Sequence, residues 1–132
     1  MATRTKQKAA KNAENKDKRP TAHARHIRIS PYKVRIVLDL VRGKSVNEAL
    51  AILAATPNAS ALPVTKVINS AAANAENNSG LAKDELIIAE LYAGQGPTLK
   101  RMQPVSKGRG HSILKRTSHI TVILDTVKEA AK

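Results

Sequence analysis

Fifteen lysines and arginines fall in two stretches of this chain where almost nothing opposes their charge. Residues 1–30 hold Arg4, Lys6, Lys8, Lys11, Lys16, Lys18, Arg19, Arg25 and Arg28 against Glu14 and Asp17 alone. Residues 91–124 hold Lys100, Arg101, Lys107, Arg109, Lys115 and Arg116 and no acid. Everywhere else the signs cancel, so these two segments supply the whole net charge of +13. Cations concentrated on segments without apolar periodicity have one obvious chemistry, the binding of a polyanion.

An anionic membrane would need bulky apolar residues opposite the basic face. The N-terminal segment offers only Ala and Met for that purpose, and the longest apolar run, residues 49–55, is far too short for a span. The second segment contains Gly94, Gly96, Gly108, Pro97 and Pro104, which exclude a regular helix. Nucleic acid is therefore the expected partner, with no membrane. The only aromatic residues are Tyr32 and Tyr92, so there is no platform on which to stack unpaired bases. Folded nucleic acid, read through phosphates and shape, fits better.

Other chemistries lack their residues. The absence of Cys removes disulfides and thiolates and agrees with a reducing compartment. His23 and His26, three apart on an extended or irregular segment, do not converge on a metal, and no acidic cluster completes a site. Ser, His and Asp occur without a nucleophile elbow. Gly94-Gln95-Gly96 is too short to cradle phosphates and opens no helix. No enzyme and no cofactor are expected. The N-terminus has no hydrophobic segment after its basic residues, so it does not read as a secretory signal.

The elements that must position the cations follow from periodicity. Residues 1–21, highly charged and without period, are expected to be disordered when free. Residues 22–29 alternate loosely and suggest an edge strand. Ser30-Pro31 opens a helix whose face is Val34, Val37, Leu38 and Val41 and which Gly43 ends. Ser45 to Glu48 reads as a capping box for a second helix, with Val46, Ala49, Leu50 and Leu53 inward, stopping before Pro57. A third helix begins near Leu62-Pro63, carries the stripe Val64, Val67, Ile68, Ala71, Ala72 and Ala75, and terminates at Gly80. Residues 85–93 and 119–127 are rich in branched side chains and alternate, as strands do. The 25 residues 94–118 between them are expected to form a long projecting hairpin, about 12 residues per strand at ~3.3 Å each, or roughly 40 Å. The fold class is α+β: three helices on a small antiparallel three-stranded sheet, with a basic β-hairpin arm and a basic tail. The domain runs over 22–127, with 128–132 a short C-terminal tail.

Several segments then carry a specific likeness: Ala24-Arg25 on to Ser30, Lys33-Val34-Arg35, Asp39-Leu40-Val41-Arg42-Gly43, Ala73-Asn74-Ala75-Glu76-Asn77, residues 96–101, Lys107-Gly108-Arg109 and residues 114–122. Over residues 22–125 the chain resembles the bacterial type of large-subunit ribosomal protein twenty-two. The resemblance implies a three-helix, three-stranded domain on the large-subunit surface near the exit of the nascent-chain tunnel. Its hairpin would run through ribosomal RNA and form part of the tunnel wall, and altered arms would change macrolide sensitivity. A part in early subunit assembly is also implied. The expected RNA-binding residues are Arg25, Arg28, Lys33, Arg35, Lys100, Arg101, Lys107, Arg109, Lys115 and Arg116. The expected tunnel tip is Val105, Ser106, Lys107, Gly108 and Arg109. Val105 stands where the family usually has Arg or His, Ser106 where it often has Ala, and Gly110-His111 replaces an Ala-polar pair. Expected partners are large-subunit ribosomal RNA, neighbouring ribosomal proteins and the nascent polypeptide, in the cytoplasm and without homo-oligomerisation. The competing reading is a free nucleic-acid-binding regulator or chaperone, with Lys33, Arg35 and Arg42 of the first helix facing DNA.

Overall fold

The computed structural model describes residues 3–15 and 17–126. Chain order is α1 (Thr3–Glu14), β1 (Thr21–Ile27), α2 (Pro31–Val41), α3 (Val46–Ala55), α4 (Ala61–Ser79), β2 (Leu86–Gln95), β3 (Leu99–Pro104), β4 (Gly110–Lys115) and β5 (Ser118–Thr126). The class is α+β, as the periodicities require. Val127 and residues 128–132 lie outside the described residues, as do residues 1–2 and Lys16.

Helix α2 buries Val34, Val37, Leu38 and Val41, the i, i+3, i+4, i+7 face of its sequence. It stops where Gly43 takes a φ of +76°. That turn lets the Gly43 N–H donate to the Ile88 carbonyl at 3.0 Å, while the Ile88 N–H donates to Lys44 at 2.9 Å. The helix end is thereby stitched to β2. At α3 only one half of the capping box forms. The Ser45 hydroxyl accepts from the Glu48 N–H at 3.3 Å, but the Glu48 carboxylate is held by Lys44 at 2.9 Å. Helix α4 buries its full stripe, Val64, Val67, Ile68, Ala71, Ala72 and Ala75. It ends on Gly80 at φ +64°, whose N–H caps the Ala75 and Glu76 carbonyls.

The sheet is antiparallel in the order β1-β5-β2, so the last strand in sequence is central. Strand β5 buries Ser118, Ile120, Val122 and Leu124 in strict alternation. Strand β2 buries Leu86 and Ile88, then Leu91 and Ala93. The change of phase coincides with a register shift between Ile88 and Glu90, because one extra residue in a strand moves every later side chain to the other face. A second irregularity lies between Ala24 and Ile27 in β1, where His26 adopts φ +59°. Helix α4 packs on β1 and β5, α2 on β2, and α3 contacts both α2 and α4. The core is Val, Ile, Leu and Ala throughout.

Strands β3 and β4 form a separate two-stranded ribbon, so the projecting hairpin is present. It grows out of the body where β2 and β5 end, at Gln95 opposite Ser118, and a Gly96 N–H to Thr117 carbonyl bond of 2.8 Å marks its base. The paired strands have six residues each, or ~20 Å of ladder, half the length that 12 residues per strand would give. The difference is taken up by residues 96–98 and 116–117 at the base and 105–109 at the tip.

The N-terminal segment holds an element that its lack of apolar period does not suggest. Residues 3–14 are helical, which makes four helices where three were expected, and every side chain in α1 is exposed. High charge and low hydrophobicity correctly imply that nothing here is buried. They do not forbid a helix whose hydrogen bonds are all internal, and Ala, Lys, Arg, Gln and Glu are strong helix formers.

Candidate nucleic-acid interface

Each residue of the ribbon β3-β4 is exposed. Directly paired residues share a face, and the register pairs Lys100 with Leu114, Arg101 with Ile113 and Leu99 with Lys115. Each cation thus lies across from an aliphatic side chain, never from another cation. Alternation puts Lys100 on one face of the ribbon and Arg101 and Lys115 on the other. The arm therefore presents positive charge on both sides, a distribution suited to a rod surrounded by phosphates.

At the tip, the Val105 N–H donates to the Arg109 carbonyl at 2.8 Å and closes a loop over residues 106–108. Lys107 and Gly108 are both left-handed, at φ +59° and +69°. Glycine suits the second of these because it adopts a positive φ without the penalty a Cβ brings, while the space around it is open. Two successive left-handed residues turn the chain back and leave Lys107 and Arg109 projecting from the end of the arm. Val105 is about half exposed.

The base of the arm forms a wide open groove of about 1000 Å³. Its cations are Arg28 and Lys33 from one side and Lys115 and Arg116 from the other, with residues 56–60 as the remaining wall. Four of the sequence-expected residues thus meet, although 87 positions separate Arg28 from Lys115. Arg28 donates to the Lys115 and Arg116 carbonyls at 3.4 and 3.3 Å and to the Thr117 hydroxyl, so it also ties β1 to the arm. Helix α2 begins at Ser30-Pro31 and α4 at Ser60-Ala61, and both starts line this groove or adjoin it. The positive ends of these two helices add to the potential there. The Ser60 hydroxyl, buried in the groove wall, has no hydrogen-bond partner among the described residues.

Two expected residues are placed elsewhere. Arg25 is on β1 beside a shallow depression lined by His23, His26 and His119. The His26 and His119 rings meet edge to face, with centroids 4.9 Å apart, and the His26 N–H donates to His119 Nδ1 at 3.0 Å. Arg35 donates from Nε and Nη2 to the Ala93 carbonyl at 3.3 and 3.1 Å, so much of its guanidinium fastens α2 to β2. Arg42 does likewise through the Leu91 carbonyl at 3.3 Å. Periodicity could not reveal these contacts, since the acceptors are backbone atoms of a distant strand.

A further cluster, not foreseen in the sequence, fixes the chain as it enters β1. Arg19 bonds Asp17 at 2.6 Å and Glu90 at 2.9 Å, and Tyr92 donates its hydroxyl proton to Glu90. The Tyr92 hydrogen bond, with Arg19 second, holds the Glu90 carboxyl below its ordinary value. Arg19 similarly lowers Asp17. Among the described residues no group of three or more His, Cys, Asp or Glu is placed to hold a metal ion, and no helix is long and apolar enough to cross a membrane.

The profile of the family described as ribosomal protein L22p/L17e matches residues 22–125, all of the sheet domain but the first residue of β1 and the last of β5. The large ribosomal subunit protein uL22 of Clostridium acetobutylicum is 60% identical over 103 residues, which cover 78% of this chain and 93% of that protein. That of Clostridium novyi is 59% identical over 110 residues, 83% of this chain and 96% of its own. That of Desulforamulus reducens is 56% identical over 108 residues, 82% and 96%. A match that spans the sheet, the three packed helices, the groove and the complete arm leaves one assignment: this chain belongs to the ribosomal protein L22p/L17e family.

Proposed function

We propose that the groove and arm are the contact surface of this chain for large-subunit ribosomal RNA, and that residues 105–109 reach the nascent-chain tunnel. As a member of its family the chain is a structural constituent of the large ribosomal subunit. The observation that carries the residue assignment is the arm itself: an acid-free ribbon, exposed throughout, with cations on both faces and at its tip. A lone two-stranded ribbon is marginal in water, so an enclosing polyanion supplies what the ribbon lacks. Arg28, Lys33, Lys115 and Arg116 receive phosphates at the base. Lys100 and Arg101 receive them along the arm, and Lys107 and Arg109 at the tip. Arg25 contributes from the β1 edge, and Arg35 chiefly holds α2 in place.

In this reading residues 22–127 are the ribosomal-protein domain and 94–118 its arm. The role is structural, without catalysis, and one copy acts per particle, beside neighbouring ribosomal proteins and the nascent polypeptide. A free DNA reader on α2 is poorly supported, because Arg35 and Arg42 are engaged by backbone carbonyls of β2. A photo-crosslinker at position 108 in translating ribosomes is expected to capture nascent chain or tunnel RNA, whereas one at the buried position 53 captures neither. Labelling from 53 alone, or equal labelling from both, would overturn the tunnel assignment.

A further inference from the structure

Helix α1 precedes residue 22, where the family match begins. It is an addition to the shared domain, and its surface is organised. Successive helical residues advance by about 100°. Arg4, Lys8 and Lys11, at i, i+4 and i+7, therefore form one stripe, with Asn15 continuing its line. Ala9, Ala10 and Ala13 fall on the opposite side together with a single cation, Lys6, and Glu14 stands off the stripe. Among the described residues none of the three cations has a carboxylate within 4.0 Å. No residue of the helix is buried.

The chain leaving this helix is fixed at a definite place. Arg19 bonds Asp17 and Glu90, and the Leu124 N–H donates to the Pro20 carbonyl at 2.9 Å. Leu124 lies six residues along β5 from Ser118, where the arm begins, or ~20 Å. The extension and the arm thus leave the sheet from opposite ends.

We propose that α1 is a second RNA-binding element, which lays its Arg4, Lys8 and Lys11 stripe along a phosphate backbone distinct from the one the arm meets. One molecule then bridges two segments of ribosomal RNA. The proposal rests on the reading that arm and groove bind large-subunit RNA. RNA is favoured over an anionic membrane because the opposite face of the helix holds only alanines and Lys6, with no bulky apolar side chain to enter a bilayer. Twelve residues without tertiary packing make a marginal helix, and like charges at i, i+3 and i+4 weaken it further. Phosphates aligned with the stripe remove that repulsion, so helix formation and binding are coupled.

The test uses the full chain with transcribed large-subunit ribosomal RNA, read by hydroxyl-radical footprinting and salt titration. The variant R4A/K8A/K11A keeps good helix formers and is expected to lose one set of protections while retaining those that K100A/R101A loses. Its log–log salt slope should fall by roughly 2 to 3, at ~0.7–0.9 per phosphate released. Ala10→Pro leaves the charge unchanged but interrupts the helix, and it should lose the same protections. If R4A/K8A/K11A retains every protection and the parental slope, the extension does not bind RNA and the proposal fails alone. If Ala10→Pro behaves as the parent, the cations act as an unstructured tether and the helical contact is refuted. If the parent chain protects nothing, the assignment of arm and groove fails as well.

Discussion

Lys100→Ala combined with Arg101→Ala separates binding from folding. Both side chains are exposed on β3, and neither forms a salt bridge with another described residue. Among the described residues the only hydrogen bond from either is Arg101 Nη1 to the neighbouring Lys100 carbonyl at 2.9 Å. Their cross-strand neighbours Leu114 and Ile113 lie outside the core of the body. Such surface changes alter stability by less than about 0.5 kcal/mol. At ~4–8 °C per kcal/mol for a domain of this size, the melting temperature should move by no more than about 4 °C. On RNA the same change removes two phosphate contacts. At ~0.7–0.9 per contact the log–log salt slope falls by about 1.4–1.8, which between about 50 and 200 mM salt amounts to roughly tenfold. Ile68→Ala is the converse control. Ile68 is fully buried at the centre of the α4 stripe, and its truncation costs about 2–5 kcal/mol, a fall of at least ~8 °C. Calorimetry and filter binding on the same preparations measure both quantities. An arm variant that melts as low as Ile68→Ala, or that keeps the parental salt slope, would refute the division of this chain into a self-sufficient body and an RNA-dependent arm.

Gly80→Ala should lower stability by about 1–2 kcal/mol in thermal melts, because Gly80 sits at φ +64° and the cost is backbone strain alone, with open space around the new methyl. Amides of β3 and β4 should exchange rapidly in the free protein and slowly once RNA is bound; strong protection without RNA would show that the ribbon supports itself. The Glu90 carboxyl should titrate below the ordinary carboxylate range by NMR. Tyr92→Phe should raise it, and Arg19→Ala should raise it less. Since its folded-state value is depressed, the anchor is present above the unfolded carboxylate value and is released only as the pH falls through the folded one. A Glu90 titration unchanged in both variants would show that the cluster does not form in solution.

Much of this protein is written in short-range pattern. A helical face needs only its own residues to be recognised, so the stripes of α2 and α4 are buried as their spacing requires. The charge segregation is likewise local, and residue types alone are enough to mark the arm. Pro31, Gly43, Ser45 and Gly80 punctuate the helices because helix starts, caps and left-handed turns depend on one or two residues, whereas Ser30 holds the N-cap position of α2 without a side-chain hydrogen bond.

What depended on the tertiary structure is what distant backbone atoms decide. Alternation along residues 85–93 does not show that β2 slips phase at Ile88, since a bulge exists only against a partner strand. The placement of β5 between β1 and β2 follows from which strands shield the α4 stripe, a choice that no strand makes alone. The sequence grouped Arg28, Lys33, Arg35, Lys115 and Arg116 by charge. Folding sorted them, bringing Arg28, Lys33, Lys115 and Arg116 to one groove and turning Arg35 to the Ala93 carbonyl. Residues 3–14 show the same limit from the other side. Their composition implies exposure, while their helix and its basic stripe come from hydrogen bonds that hydrophobic pattern does not register. Periodicity encodes which side of an element meets the core. Which cations then share a surface is decided by how the elements are joined across the sheet.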